Sequence, residues 1–449
     1  MNWPRRYLEA IRSGEETVSA KVRAVYEREV AWMDAPPDGF HFDVEASLRP
    51  IAFIEAWCRH SKGKWGRQRI ELELFQKAKI ALAFGWMEGD KRRFREVVDI
   101  RGRKCGKSTE TAAVELYMLI ADGENGSEVY CTANKLEQAR LIFNEAVSMR
   151  AQSDSIRSIT KKRQSDIYFP AMMGTLKALA AETRTMDGLN AHFFSLDEFH
   201  EARDSKVYDV MVQSQAAREQ PMAWLISTNG FVREAFFDSK YDYCSKVALW
   251  EDGFHDYRLL PLIYELDSRD EWTDAKAWAK ANPGLGSIKS LVTLSENVEK
   301  AKRDPTFLPT VLTKDFNVPE NTSEAWLTYE AAVNEAVVPM EALQGNYAIG
   351  GCDLSATTDL TCATLLIRKQ GDPLFYVLQQ YFLPQARVDA SEQTSVREAP
   401  YRLWAEQGWL TISDGATVDY RQVTAWFVDM VQQHQIRPLW ICYDRALAG

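Results

Sequence analysis

Arg101-Gly102-Arg103-Lys104-Cys105-Gly106-Lys107-Ser108-Thr109 is the segment of this sequence best suited to hold an anion. It follows the apolar run Glu96–Ile100 and precedes TAAVELYMLI, so strand, loop and helix start are expected in that order. A phosphate cradle needs backbone N–H groups aimed at oxygen anions, and a helix N-terminus adds its dipole. In such a loop Gly106 lets the backbone approach, Lys107 reaches the β- and γ-phosphates, and Ser108 holds Mg²⁺. The match to G-x-x-x-x-G-K-[ST] is imperfect, because Arg101 occupies the first glycine position and Gly102 comes one place late. A basic turn capped by Ser108 is the plainer alternative.

The run 192–198, His-Phe-Phe-Ser-Leu-Asp-Glu, is an apolar strand ending in two acids about ninety residues beyond the loop. Ligands of open parallel sheets bind at the carboxyl ends of strands. There Asp197 suits the Mg²⁺ shell, and Glu198 suits orienting and deprotonating a water. This reading requires both carboxylates to face the Lys107 amine from a strand next to the loop. Ser227, Thr228 and Asn229 end another apolar strand and can sense a γ-phosphate, or form only a turn with Gly230. Gln76 suits an adenine edge, or is an exposed helical glutamine. Of Arg101 and Arg103, either can act as an arginine finger in cis, and Arg103 is the preferred one.

A second acidic set lies late in the chain. Asp353 ends one strand-like run, Asp359 follows six residues on, and Asp444 ends another. Carboxylates from neighbouring strands can hold two cations about 4 Å apart for phosphodiester hydrolysis. Aspartates also end many strands with no such role. The six histidines have no metal-ligand spacing, and His192 and His200 read as packing or polar surface.

These residues need elements to place them. From 65 to 256, short apolar runs (Glu96–Ile100, Glu128–Ala133, 192–198, 223–228) alternate with amphipathic stretches such as 135–149. That alternation predicts a parallel sheet covered by helices. The expected organisation is an N-terminal helical extension at 1–64, an ATPase core at 65–256, a helical lid or linker at 257–330, and a second α/β domain at 331–449. With 46% hydrophobic and 26% charged residues the composition is that of a globular protein. No apolar run is long enough to cross a bilayer and no signal peptide is read, so a cytosolic protein with no membrane partner is expected. The seven scattered cysteines contain no C-x-x-C pair, which argues against a zinc site or a disulfide framework. A net charge of −10 argues against coating nucleic acid by bulk electrostatics. Local stripes at Lys91, Arg92, Arg93 and Arg95, or at Lys161, Lys162 and Arg163, are either DNA contacts or solvated faces.

Taken in order, the loop R-K-x-G-K-S-T, the strand end L-D-E-F-H, the S-T-N strand, the A-N-P-G turn at Asn282 and the run G-G-x-D-L-S-x-x-x-D-L resemble the large terminase subunit of tailed bacteriophages. The resemblance runs from about Leu74 to the C-terminus. It implies a RecA-like phosphate-loop ATPase followed by a ribonuclease-H-like nuclease, an α/β chain that drives viral double-stranded DNA into a procapsid. By resemblance, Gln76 reads adenine; Lys107, Ser108 and Thr109 belong to the phosphate loop; Asp197 and Glu198 are the metal and base carboxylates. Ser227, Thr228 and Asn229 match the coupling motif. Asp353 and Asp444 match nuclease metal ligands, with Asp359 accessory. Implied cofactors are ATP with Mg²⁺, and Mg²⁺ or Mn²⁺ for the nuclease. Implied partners are DNA, a portal ring, a small terminase subunit and further copies in a ring, in the host cytoplasm. The family's further acidic ligand does not appear before Gly449, so a partial nuclease that cleaves DNA poorly is expected. Two other readings compete: a superfamily 2 helicase, because Asp197-Glu-Phe-His200 spells a D-E-x-H box, and a non-catalytic fragment that docks on a portal.

Overall fold

The computed structural model describes all residues except 180–187, 203, 232–234, 321–337, 394–400 and 444–449. Contacts divide the chain into two units, Met1–Ala332 and Val333–Gly449.

The first unit is organised by an eight-stranded sheet in the order Leu259–Ile263, Glu96–Ile100, Met222–Ser227, Phe193–Asp197, Glu128–Ala133, Gly174–Ala178, Asp166–Phe169, Lys161–Lys162. The first six strands run parallel and the last two join antiparallel, so the expected parallel sheet is extended into a mixed one. Parallel strands are covered on both faces, and the strands Phe193–Asp197 and Met222–Ser227 are buried at every residue. The helix Lys107–Ile120 is buried along most of its length, and its apolar residues share one core with Val97, Val129, Phe193 and Trp224.

The strand Leu259–Ile263 falls within the segment expected to be a helical lid. Its five apolar residues pair parallel with Glu96–Ile100. It is an edge strand, which accommodates Pro261, since proline cannot donate to a ladder. The N-terminal helices Trp3–Ser13 and Ala20–Trp32 bury Tyr7, Val22, Val25 and Tyr26 in the same core as Trp224, Leu260 and Tyr264. Ser19 Oγ also donates to Ile263 O at 2.6 Å. The segments expected as extension and lid thus pack with the sheet as one body. Beyond the edge strand, helices Leu291–Arg303 and Leu308–Phe316 enclose a smaller core around Trp278, Leu294, Val298 and Phe316.

The second unit holds a five-stranded mixed sheet ordered Leu410–Ser413, Phe375–Pro384, Thr361–Arg368, Tyr347–Asp353, Arg437–Tyr443. The helix Tyr420–Gln432 places Val423, Phe427 and Met430 against Ala348, Ala363, Leu365 and Ile367. Four of these strands are read directly from their apolar runs, whereas the four-residue Leu410–Ser413 is too short to signal itself.

One sequence expectation about charge is corrected here. Arg92 and Arg93 are not a nucleic-acid stripe: they are 4% and 0% exposed. Arg92 pairs with Asp122 at 2.5 Å, and Arg93 pairs with Glu29 while lying over the rings of Phe94 and Trp86. Lys161 and Lys162 remain exposed on the sheet's edge, while Arg163 pairs with Asp166 at 2.7 Å.

Candidate nucleotide site at the sheet edge

The loop leaves Ile100 with Arg101 N donating to Ser227 O at 3.1 Å, and enters the helix through Gly106 at φ 80°. Lys104 also takes a left-handed φ of 65°, which turns the loop back on itself. Lys107, in the helix's first turn, is buried, and its Nζ donates to Arg101 O at 2.7 Å and Gly102 O at 3.2 Å. Burial lowers its pKa, since a charged amine loses solvation there. Ser108 follows it, and its hydroxyl makes no hydrogen bond among the described residues. Thr109 is turned aside, donating to Glu145 at 3.2 Å.

The late glycine of the loop has a steric cause. A Cβ at Gly102 would stand 2.3 Å from Asn282 Oδ1 and 2.7 Å from Asp315 O. Gly102 N donates to Ala281 O and Arg103 N to Lys314 O, both at 2.9 Å, so the helical segment beyond the sheet presses directly on the loop. Gly102→Ala is therefore expected to cost about 1–3 kcal/mol by overpacking and to weaken nucleotide binding. Denaturant unfolding and nucleotide titration check this, and a neutral result in both would refute the close approach.

Arg101 is removed as a finger candidate. Its guanidinium is buried, 2.5 Å from Glu110 and 3.1 Å from Asp99. Lys79 completes this cluster, contacting Asp99 and lying 2.6 Å from Glu110. Arg103 is exposed on the loop. Gln76 is not an exposed glutamine: its Nε2 donates to Glu110 at 3.0 Å and lies beside Gly106. Its Oε1 accepts from Glu73 N at 3.0 Å in a capping box.

Asp197 and Glu198 stand at the carboxyl edge of the same sheet, but not on the strand next to the loop. Met222–Ser227 lies between, with Ile226 in register with Asp99 on one side and Asp197 on the other. Two strand spacings, roughly 10 Å, therefore separate the loop from the carboxylates, so the adjacency stated as a requirement is not met; what holds is that loop and carboxylates share one carboxyl edge of the sheet. The gap is nonetheless crossed electrostatically, because the Lys107 charge lowers both carboxyls. Asp197 is buried, and burial together with the Glu198 charge pushes it up to about 7. Glu198 takes a left-handed φ of 49°, with its N–H donating to Ile226 O at 3.0 Å. Burial works to raise its carboxyl, yet His200 and the Lys107 charge bring it down to about 2.

His200, expected to be packing or polar surface, belongs to this site. Its Nδ1 lies 2.8 Å from Ser227 Oγ and 2.9 Å from Glu198 Oε2. The second approach is a close polar contact without hydrogen-bond alignment, so the buried Glu198 Oε2 has no directed partner among the described residues. Asn229 is bonded to the chain just after the Leu308–Phe316 helix. Its backbone N donates to Asn317 Oδ1 at 2.9 Å, and its side-chain Nδ2 donates to Asn317 O at 3.0 Å. Lys314 Nζ reaches His200 Nε2 at 2.7 Å. His192 is a core residue, bonded to Asp122 at 2.7 Å.

In the second unit Asp353 ends Tyr347–Asp353 and is exposed, as is Asp359, whose N–H donates to Ser355 Oγ at 3.2 Å. Asp444 lies outside the described residues. Tyr443, which precedes it, pairs with Cys352 on the adjacent parallel strand. Among the described residues no cluster of three or more His, Cys, Asp or Glu is arranged to hold a metal ion, and no helix is long and apolar enough to cross a membrane.

This fold and edge geometry coincide with two family matches. Residues 74–246 match the ATPase domain of the terminase large subunit, and residues 254–448 match its endonuclease domain. The chain belongs to the terminase large subunit family, with a phosphate-loop ATPase and a ribonuclease-H-like nuclease fold, and its function is DNA packaging. It is 28% identical over 406 residues to the terminase large subunit of Enterobacteria phage HK97, covering 88% of this chain and 76% of that protein. It is 27% identical over 248 residues to protein YmfN of Escherichia coli (strain K12), which is 54% of each. The crystal structure of the HK97 bacteriophage large terminase superposes with a TM-score of 0.54 at 25% identity, covering 89% of this chain and 80% of that one. The helicase reading is not favoured, since the endonuclease match occupies the region where a helicase needs its second motor domain.

Proposed function

We propose that the chain hydrolyses ATP at the sheet edge and uses that cycle to move double-stranded DNA into a procapsid. The observation that carries this reading is the placement of Lys107 on one side of the Met222–Ser227 strand and of Asp197 and Glu198 on the other, all at one edge. Lys107 and the backbone N–H groups around Gly106 hold the phosphates. The oxygen donors Ser108 and Asp197 would hold Mg²⁺, a hard cation that takes oxygen ligands and supplies charge neutralisation when bound. Glu198, ionised and with Oε2 lacking a directed partner, orients the attacking water and takes its proton. Arg103, exposed on the loop, acts as the finger. Gln76 keeps one amide hydrogen for an adenine edge, whereas Asn229 and Thr109 serve the packing around the site.

Asp353, Asp359 and Asp444 are the proposed ligands for Mg²⁺ or Mn²⁺ in DNA cleavage. The partners proposed with DNA are a portal ring, a small terminase subunit and further copies of this chain in a ring, in the host cytoplasm. ATP turnover by the purified chain is expected to fall to background in Lys107→Ala, with nucleotide affinity reduced as well. Equal turnover in the two proteins would overturn the motor reading.

A further inference from the structure

Lys314 sits in the helix Leu308–Phe316, more than a hundred residues from the carboxylates, and is buried to 8% exposure. Its ammonium meets His200 Nε2 at 2.7 Å and Asn229 O at 3.2 Å, with the Phe231 ring centroid at 5.6 Å. An ammonium donates and cannot accept. His200 Nε2 must therefore be the acceptor, which puts the ring hydrogen on Nδ1, the nitrogen facing Ser227 and Glu198. The other charges around Lys314 are Arg103, Glu198, Glu201 and Lys107. Burial and the Arg103 charge lower the amine to about 8, so it is largely charged at neutral pH. The backbone of the same residue holds the loop, through Arg103 N to Lys314 O at 2.9 Å.

We propose that Lys314 is a positioning residue for ATP hydrolysis: it fixes the His200 tautomer, so that the Nδ1–H edge bonded to Ser227 also stands 2.9 Å from Glu198 Oε2, and the Leu308–Phe316 helix is thereby joined to the water-activating group. From there the N–H edge favours the ionised form of Glu198. The proposal rests on the ATPase reading above. It gives one residue a grip on both halves of the site, the loop by its carbonyl and the base by its side chain. A shift of that helix would alter loop and carboxylate together. A lysine that only filled space would leave the imidazole tautomer and the catalytic step unchanged when replaced by an apolar residue of similar length.

The test uses the full chain with Lys314→Met, Lys314→Gln, Glu198→Gln and the double variant Glu198→Gln/Lys314→Met. Lys314→Met is expected to lower kcat by on the order of 10- to 100-fold, with KM for ATP and affinity for a fluorescent ADP analogue nearly unchanged. Nitrogen-15 NMR of the histidines, with His200 assigned by deletion, is expected to show the Nδ1–H tautomer in wild type and its loss in Lys314→Met. Lys314→Gln keeps a donor to Nε2 and is expected to preserve that tautomer and most of the turnover. In the Glu198→Gln background, Lys314→Met is expected to add no further loss. Wild-type kcat in Lys314→Met, a loss confined to ADP affinity, an unchanged tautomer, or additive losses in the double variant would each overturn the proposal. Turnover that survives Lys107→Ala would instead sink the ATPase reading itself. A dead Lys107→Ala beside a normal Lys314→Met would sink only the positioning role.

Discussion

Glu198→Gln is expected to lower ATP turnover by on the order of 10²–10⁴ while leaving nucleotide affinity close to wild type. Glutamine keeps the shape of the side chain but cannot take a proton from water. The native carboxylate is well prepared to do so. Its backbone is held in a left-handed conformation by the Ile226 carbonyl, and one oxygen has no aligned donor. Because the group is held down to about 2, it stays ionised through the range in which the protein is handled. Loss of turnover on mild acidification is then to be attributed to groups other than Glu198. Steady-state hydrolysis beside equilibrium binding of an ATP analogue measures both quantities. Wild-type turnover in Glu198→Gln would remove this residue from the chemistry. A parallel collapse of binding would recast it as a ligand rather than a base.

The second large effect concerns stability. Glu110→Ala is expected to destabilise the first unit by about 3–5 kcal/mol. Glu110 is 2% exposed and answers two cations, Arg101 at 2.5 Å and Lys79 at 2.6 Å, while also accepting from Gln76 at 3.0 Å. Removing it leaves Asp99 as the one carboxylate of the cluster facing both buried cations. The penalty arises from the stranded charge more than from the lost attraction, since a buried ion pair is worth little net but its broken half is costly. The pH dependence follows in sign. Burial raises a carboxyl, but here Arg101 and Lys79 outweigh it and hold Glu110 below its ordinary 4.5. Its contribution is therefore present above 4.5 and is lost as pH falls through the lower folded value. Denaturant unfolding of wild type and Glu110→Ala at neutral and acidic pH tests this. A difference that stays below 1 kcal/mol at neutral pH, or one that grows on acidification, would contradict it.

The parts of this site that were legible in the sequence are those whose chemistry is local. Gly106, Lys107 and Ser108 read as a phosphate loop because strand, turn and helix start adjoin in the chain, and Asp197 and Glu198 read as edge carboxylates because an apolar run stops at them. The fold class was legible for the same reason, since the alternation of runs is itself a one-dimensional pattern. Strand order is not. Nothing near 193–197 or 222–227 says that the second strand inserts between the first and the loop strand, and the carboxylates accordingly lie one strand further away than expected. Partners distant along the chain were also hidden. Lys79 and Glu110 are ordinary residues on two helices until they meet Asp99 and Arg101. Lys314 looks like any helical lysine until it meets a histidine 114 positions earlier. A charged residue inside an apolar run was the available hint, as in the Lys79 of KIALAF and the Asp99 of EVVDI. Such residues are buried only when paired.

The intervening Met222–Ser227 strand has a consequence of its own. Arg101 and Glu198 are each tied to its backbone, at the Ser227 and Ile226 carbonyls. The distance the triphosphate must bridge is thus metered by the width of one peptide chain, a dimension common to all sequences. Side-chain replacements along that strand can retune packing without changing this span. A shift of pairing by a single residue would flip its faces and dislocate the two halves at once. The loops that feed this strand are consequently under a length constraint that the far antiparallel edge of the sheet escapes.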